Sequence, residues 1–264
     1  MNKLILGTSN ADYHADKTHL SSSQLKLLLQ STETFYDEII CGLKTPSNSD
    51  AFEQGTLMHT LLLEPEKLQV DYAIYPGLRR GGNAFEDFKA ANPGKTIITY
   101  PVLERCEKLV KAAITHKAAF KLLTGGLAEA NMISQILSVP VKARADYINI
   151  EHGYIVDFKS TALPTGEDVF RETIKQYKYA LSAALYAQIA YDTYGKLFDF
   201  YWIVISKNDG GCAVYKASSA TLSQGAAEVT TAIVLYKKCK ETNNWKAAET
   251  ASDVFLNLDE VIEI

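Results

Sequence analysis

An α/β or α+β fold, with a mixed central β-sheet flanked by helices and preceded by a mainly helical part, is what this 264-residue chain predicts. Three observations point there. Apolar residues recur mostly at helical spacing through residue 125. Three β-prone runs then follow in series. The remainder alternates helix, two strands, helix. At 47% hydrophobic the chain can bury one large core. It therefore reads as a single domain over 1–264, with 1–125 its helical part and 126–264 its sheet-and-helix core.

The stretch "HLSSSQLKLLLQSTETFYDEI" offers serines for N-capping and carries Leu25, Leu28 and Leu29 as a helical stripe. Beyond the polar "KTPSNSD", a second helix, "AFEQGTLMHTLLLEPEKL", breaks at Pro65. Residues 76–95 hold four of the fifteen glycines together with Arg79, Arg80 and Lys89, and read as a mobile, basic, exposed segment. Helical spacing resumes through "PVLERCEKLVKAAITHKAAFKLL" and stops at "TGG". "AEANMISQI", "VPVKARADYINI" and "GYIVDFKST" are β-like, the last two joined across "EHG" as a hairpin. One long helix, "DVFRETIKQYKYALSAALYAQIAYDTYG", ends at Gly195, and its alanines at 180, 183, 184, 187 and 190 predict close packing on the sheet. "DFYWIVIS" and "GCAVYKAS" are strands about a "KNDGG" turn, and "SQGAAEVTTAIVLYKKCKE" is the last helix.

Composition excludes several classes. No apolar run approaches a membrane span and no secretory signal is visible, so the chain reads as cytoplasmic, without a membrane partner. Cys41, Cys106, Cys212 and Cys239 show no C-x-x-C pairing, which argues against a zinc ribbon or a disulfide framework; nothing in their spacing requires an iron–sulfur cluster. A net charge of −4 gives no bulk attraction to nucleic acid, although local clusters such as Arg79 with Arg80, Lys142 with Arg144, and Arg171 with Lys175 and Lys178 could track phosphates.

The chemistry concentrates in "YIVDFKSTA". Alternation puts Asp157 and Lys159 on one face and Val156 and Phe158 on the other. Such a pair reads either as a satisfied ion pair or as a metal site with a lysine beside it. A turn centred on Glu151 and His152 sets Asp146 opposite Asp157; one centred on His152 and Gly153 sets it opposite Lys159. Either way two carboxylates and a lysine share a face, and paired aspartates repel unless one is protonated or a divalent cation lies between them. Oxygen ligands favour Mg²⁺ or Mn²⁺ over zinc. Upstream, Gly55 and His59 sit one helical turn apart, where His59 reads either as a histidine satisfied in a helix interface or as one reaching the site.

The ordered set "GTLMH", "AEANMIS", "VKARADYI", "IVDFKST" and "QYKYALSAALY" resembles the PD-(D/E)XK nucleases, most closely the RecE-type (exonuclease VIII) recombination exonucleases of phage and prophage. "DYHADKTHLSSSQLKLLLQS" and "FEQGTLMHTLLLEPEKLQVDYAIYP" are similar to that family too, so the likeness covers nearly the whole chain. It implies a restriction-endonuclease-like core in which Asp146 and Asp157 hold the metal and the Phe158 carbonyl adds a third ligand. Lys159 would position or activate the attacking water and offset phosphate charge. His59 would be a further ligand or a metal-water contact, and Glu129 an outer ligand, though Glu129 reads equally as a solvated glutamate. Candidate DNA contacts are Arg79 and Arg80 of the exposed segment, Arg144, and Tyr179, Ser182 and Tyr186 of the late helix. Its tyrosines could equally be core, and Ser182 stands where the family usually has glutamine.

The resemblance further implies an Mg²⁺-dependent exodeoxyribonuclease, with Mn²⁺ able to substitute, digesting one strand of linear duplex DNA from its end, 5′ to 3′. The overhangs would feed recombination beside a single-strand annealing protein of RecT type, and the subunits would form a ring-shaped homo-oligomer. An endonuclease of the same fold and a DNA-end binding module with a decayed site are the alternatives.

Overall fold

The computed structural model describes residues 3–5, 10–43 and 50–246, and the polar stretch 44–49 lies outside them. The first part runs β1 (Lys3–Ile5), α1 (Asn10–Ala15), α2 (Ser22–Gln30), α3 (Thr32–Phe35), α4 (Asp50–Leu63), α5 (Leu68–Asp71), β2 (Tyr72–Tyr75), α6 (Asn83–Ala90), β3 (Thr96–Thr99), α7 (Tyr100–Thr115) and α8 (Lys117–Leu122). The second part runs β4 (Leu127–Ile136), β5 (Val139–Asn149), β6 (Tyr154–Thr161), α9 (Glu167–Gln176), α10 (Tyr179–Tyr194), β7 (Asp199–Ser206), β8 (Cys212–Lys216) and α11 (Ser219–Thr242). Six strands form one mixed sheet in the order β1-β4-β5-β6-β7-β8. Within this sheet, among the described residues, β6 and β7 are the one parallel pair, joined by the α9–α10 crossover.

Helices cover both faces. On one, α2, α10 and α11 pack over Met132, Val141, Ala143, Ile155, Phe200 and Trp202. On the other, α4 and α7 pack over Tyr147, Val156, Phe158, Ile203 and Ile205. Three of these residues show how β6 serves both faces: Ile155 looks one way, Val156 and Phe158 the other, as period-two alternation requires, and Asp157 lies on the α10 side.

Local chemistry explains most boundaries. Ser21 caps α2 in a reciprocal capping box with Gln24, and Leu25 and Leu28 are buried as the stripe predicts. Helix α4 stops at Leu63 before Pro65, and α10 stops at Tyr194 before the left-handed Gly195.

Four readings are corrected. The segment 76–95 is exposed as expected, but it carries the helix α6 and connects β2 to the parallel strand β3. The helix expected over 101–123 is two, separated at His116, whose side chain accepts from the Ala119 N–H at 3.3 Å and caps α8. The long helix expected over 168–195 is also two, because Lys178 adopts a left-handed backbone (φ 48°) between α9 and α10. Lys142 is no surface cation: at 3% exposed, it donates to the Tyr13 and Asp16 carbonyls at 2.6 and 2.5 Å, tying α1 to the sheet.

Close packing of the alanine-rich α10 depends on its neighbour as much as on the sheet. A Cβ at Gly225 of α11 would lie 2.0 Å from the Ala180 carbonyl oxygen, so the helices touch backbone to backbone there. Gly225→Ala should therefore destabilise the protein by about 2–4 kcal/mol despite its better helix propensity, read as a lower midpoint in urea unfolding.

Candidate active site

The site is built on a fault in the sheet. Strand β4 pairs with β5 on either side of Glu129 and Asp146, through Ala128↔Tyr147 and Ala130↔Ala145, but that one step between them is unpaired. Face alternation inverts across it. Ala130, Ala143 and Ala145 belong to the core under α10, whereas Ala128 and Tyr147 belong to the opposite one. The inversion comes from Glu129, a non-glycine residue with φ 49°. A left-handed backbone at such a residue costs of order 1–3 kcal/mol and persists where the surroundings impose it.

The β5–β6 ladder ends at the same place. Its pairs are Asn149↔Tyr154, Ile148↔Ile155 and Tyr147↔Val156, so the turn centres on Glu151 and His152 and Asp146 falls opposite Asp157. There a side chain replaces the ladder: the Phe158 N–H donates to Asp146 Oδ2 at 2.6 Å. Beyond that point β6 continues on β7 alone, through Lys159↔Val204 and Ser160↔Ile205.

His59 reaches the fault from α4. Its Nδ1 lies 3.6 Å from Asp146 Oδ2, and its ring meets Phe158 edge-on at 5.1 Å between centroids. His59, Glu129 and Asp146 each offer a ligand atom within 4.8 Å of the others. They open, with Gly55, Arg144 and Ser160, into a cleft of about 940 Å³. Gly55 is less constrained than its motif suggests, since a Cβ there would sit 3.6 Å from Ser160 Oγ, an ordinary contact.

Asp157 and Lys159 form the ion pair that the alternation allows, Nζ to Oδ2 at 2.6 Å, with Asp157 nearly buried. Lys159 Nζ also stands 5.1 Å from the Tyr179 ring centre. Arg144 pairs with Glu129. Tyr186 lies within the core under α10, within hydrogen-bonding reach of Ser22 and the Arg144 backbone. Ser182 is half-buried and lines neither this cleft nor the cavity beside Tyr179. Arg79 and Arg80 line a separate cavity with Glu53 and Leu78. Arg80 is held by Glu53 and donates to the Ile97 carbonyl at 2.9 Å, leaving Arg79 the freer candidate for a ligand.

Electrostatics follow from burial and crowding. Burial, then the Asp157 charge, push the Asp146 carboxyl up to about 7. Glu129 is raised by burial and by Asp146, with Arg144 opposing. Burial and the Lys159 charge lower His59, keeping the imidazole neutral at neutral pH. Burial would lower Lys159, but Asp157 and Asp146 outweigh it and hold the ammonium charged.

Lys26 of α2 went unread in the sequence. Its Nζ lies 5.2 Å from the Tyr179 ring centre, and burial and Lys159 push the amine down to about 8. A lone lysine beside Leu25 in an amphipathic helix carries no signal of this. Tyr13, whose ring lies 4.6 Å from Lys142 Nζ and 5.9 Å from the Arg144 guanidinium carbon, is likewise invisible from spacing.

Two carboxylates and a neutral imidazole suit a divalent cation. Their ligand atoms lie within 4.8 Å of one another, close enough to converge on one cation. The imidazole makes Mn²⁺ as good a match as Mg²⁺.

A mixed sheet presenting Asp146 opposite an Asp157-x-Lys159 strand defines a PDDEXK-like domain. The chain belongs to the family described as "PDDEXK-like domain of unknown function (DUF3799)", which matches residues 21–252. No curated protein matches it. Among solved structures, one described as "Putative exonuclease" from Eubacterium rectale superposes with a TM-score of 0.64 at 16% identity, over 88% of this chain and 86% of that one. The structure of SSO0001 aligns over 81% of this chain and 85% of that one at 12% identity, with a TM-score of 0.28, too low to bear on the fold.

Because Asp146 must lose its proton to hold a metal, Mn²⁺ affinity should rise about tenfold per pH unit below pH 7 and level off above it. Calorimetry between pH 5.5 and 8.5, values chosen to bracket about 7, reads this directly. Asp146→Asn should abolish binding and also stabilise the metal-free protein. The penalty of a raised carboxyl is absent below its unfolded value of 3.8 and complete above about 7, so the gain in melting temperature should shrink as pH falls from 8 towards 4.

Proposed function

We propose that this protein is a metal-dependent nuclease, and specifically a RecE-type exodeoxyribonuclease that digests one strand of linear duplex DNA, 5′ to 3′, leaving overhangs for annealing. The observation that carries the reading is the meeting of His59, Glu129 and Asp146 at the sheet fault, beside the Asp157–Lys159 pair. The polarity, the RecT-type annealing partner, the ring-shaped homo-oligomer and a cytoplasmic site of action rest on the family resemblance. Among the described residues no helix is long and apolar enough to cross a membrane.

A divalent cation, Mg²⁺ or Mn²⁺, held by Asp146, Glu129 and His59 would supply a water of lowered pKa and offset charge on the scissile phosphate. Asp157 and the Phe158 carbonyl complete the set that the resemblance assigns to it. Asp146 is oriented for this by the Phe158 N–H, which fixes one oxygen in place. Lys159 stays cationic, since the neighbouring carboxylates raise it, and can place an N–H on the attacking water or a phosphate oxygen. Tyr179 holds that ammonium from its other side. Arg144 pins Glu129 in its left-handed setting, orienting the outer ligand.

The deciding experiment incubates the protein and Mg²⁺ with linear and with covalently closed duplex. Loss of the linear DNA alone supports the exonuclease, nicking of closed circles supports an endonuclease, and survival of both overturns the nuclease reading. Asp157→Ala should lose metal binding and cleavage together. Lys159→Ala should keep metal and DNA binding while single-turnover cleavage falls roughly a hundredfold or more. A plain ion pair predicts instead a loss of stability of about 3–5 kcal/mol in both variants, independent of metal. Arg79→Glu should weaken DNA binding, and weaken its salt dependence, without lowering the melting temperature. Unchanged binding removes that segment from the DNA path.

A further inference from the structure

A second cavity, of about 280 Å³, lies beside the metal cleft and shares Ser160 with it. Lys159, Thr161, Phe170, Tyr177 and Tyr179 line it. It sits at the carboxyl ends of the parallel strands β6 and β7, where their crossover leaves a crevice suited to a ligand. The residues that built the metal site do not account for it.

Its wall is unusual. In a continuous helix, residues two apart point away from each other. Tyr177 and Tyr179 instead stack, ring centres 5.7 Å apart and planes 24° apart, because Lys178 between them is left-handed. That conformation is strained for a residue with a Cβ. The Lys178 ammonium is drawn aside to Glu228 of α11 at 3.9 Å, so the strained residue leaves the tyrosine pair facing the cavity. Tyr177 is 53% exposed, a large aromatic face offered to solvent at the mouth. Behind it Tyr179 is flanked by two ammoniums, Lys159 Nζ at 5.1 Å and Lys26 Nζ at 5.2 Å from its ring centre. Among the described residues no carboxylate lies within ion-pair distance of Lys26. An exposed aromatic stack, the hydroxyls of Ser160 and Thr161, and the Lys159 ammonium match a flat heteroaromatic ring attached to a phosphate.

We propose that this cavity receives the unpaired terminal base of the DNA strand being cut, stacked on Tyr177, with the adjoining phosphate beside Lys159. The inference deepens the nuclease reading and rests on it. A base drawn out of the duplex here would be withdrawn from its neighbour, and its phosphate would be drawn along β6 towards the metal cleft that Ser160 borders. Stacking on a tyrosine accepts any base, as a nuclease indifferent to sequence requires.

The test measures equilibrium binding, with Ca²⁺ replacing Mg²⁺ to keep the substrate whole, of two short blunt duplexes labelled internally. One is intact and the other lacks the base at each terminal nucleotide. Wild-type protein should bind the intact duplex about 5- to 100-fold more tightly, the range of one base–aromatic stack. Tyr177→Ala should erase the difference while binding the abasic duplex as wild type does, and Tyr177→Trp should restore it. Equal binding of the two duplexes by wild type, or discrimination that survives in Tyr177→Ala, overturns the pocket. If Mg²⁺-dependent cleavage of the intact duplex persists in that case, the nuclease reading stands without it. Absence of both binding and cleavage overturns the two together.

Discussion

The site depends on one exchange: the Asp146 carboxylate takes the place of a backbone acceptor for the Phe158 N–H. A buried N–H must be satisfied, and where β5 and β6 part company the ladder can no longer do it. Asp146 does so only by entering a space where its own charge is costly, which raises its pKa to about 7. The same contact therefore closes the sheet and readies a ligand. The left-handed Glu129 directly across β4 completes the fault, swinging a second carboxylate to the same side without inserting a residue.

Such an arrangement opposes stability locally. A strained glutamate, a carboxyl with a raised pKa and a neutral, half-buried histidine each stand against folding. The surroundings offset them on both faces. Phe158 and Val156 are sealed under α4 and α7, Ile155 under α10, and β6 is paired along its whole length to β7. Rigid strands on one side and a closely apposed α10–α11 pair on the other fix the acids more firmly than loops could.

Much of the fold is legible because its signals are local and strong. Period-two runs give β4 to β8, the stripe and serines give α2, and Pro65 and Gly195 stop their helices. What escaped depends on tertiary context. The two-residue turn between β4 and β5 places Leu137 and Ser138 at φ 47° and 65°, where glycine or asparagine would be the usual sign. Lys178 breaks a helix whose pattern reads as continuous, since lysine is an ordinary helix former. Of the site, the convergence of Asp146, Asp157 and Lys159 follows from alternation and the hairpin turn alone. His59 and Glu129 enter through contacts between elements distant in sequence, so their motif spacing alone left them open to bland readings. Lys26 and Tyr177 lie within stretches that carry the resemblance, yet no spacing singles either out.

Charge accounting links the two cavities. The chain is acidic overall, and several of its prominent cations are already engaged: Lys142 on the carbonyls of Tyr13 and Asp16, Arg80 on Glu53, Arg144 on Glu129, Lys159 on Asp157. A polyanion approaching the cleft thus meets neutralised pairs and the further carboxyl of Asp146. With no excess positive charge there, phosphate is poorly attracted to the cleft unless a divalent cation occupies it, so on the nuclease reading metal and DNA should bind cooperatively. Lys26, 5.2 Å from the Tyr179 ring centre and in no ion pair among the described residues, adds positive charge beside the second cavity.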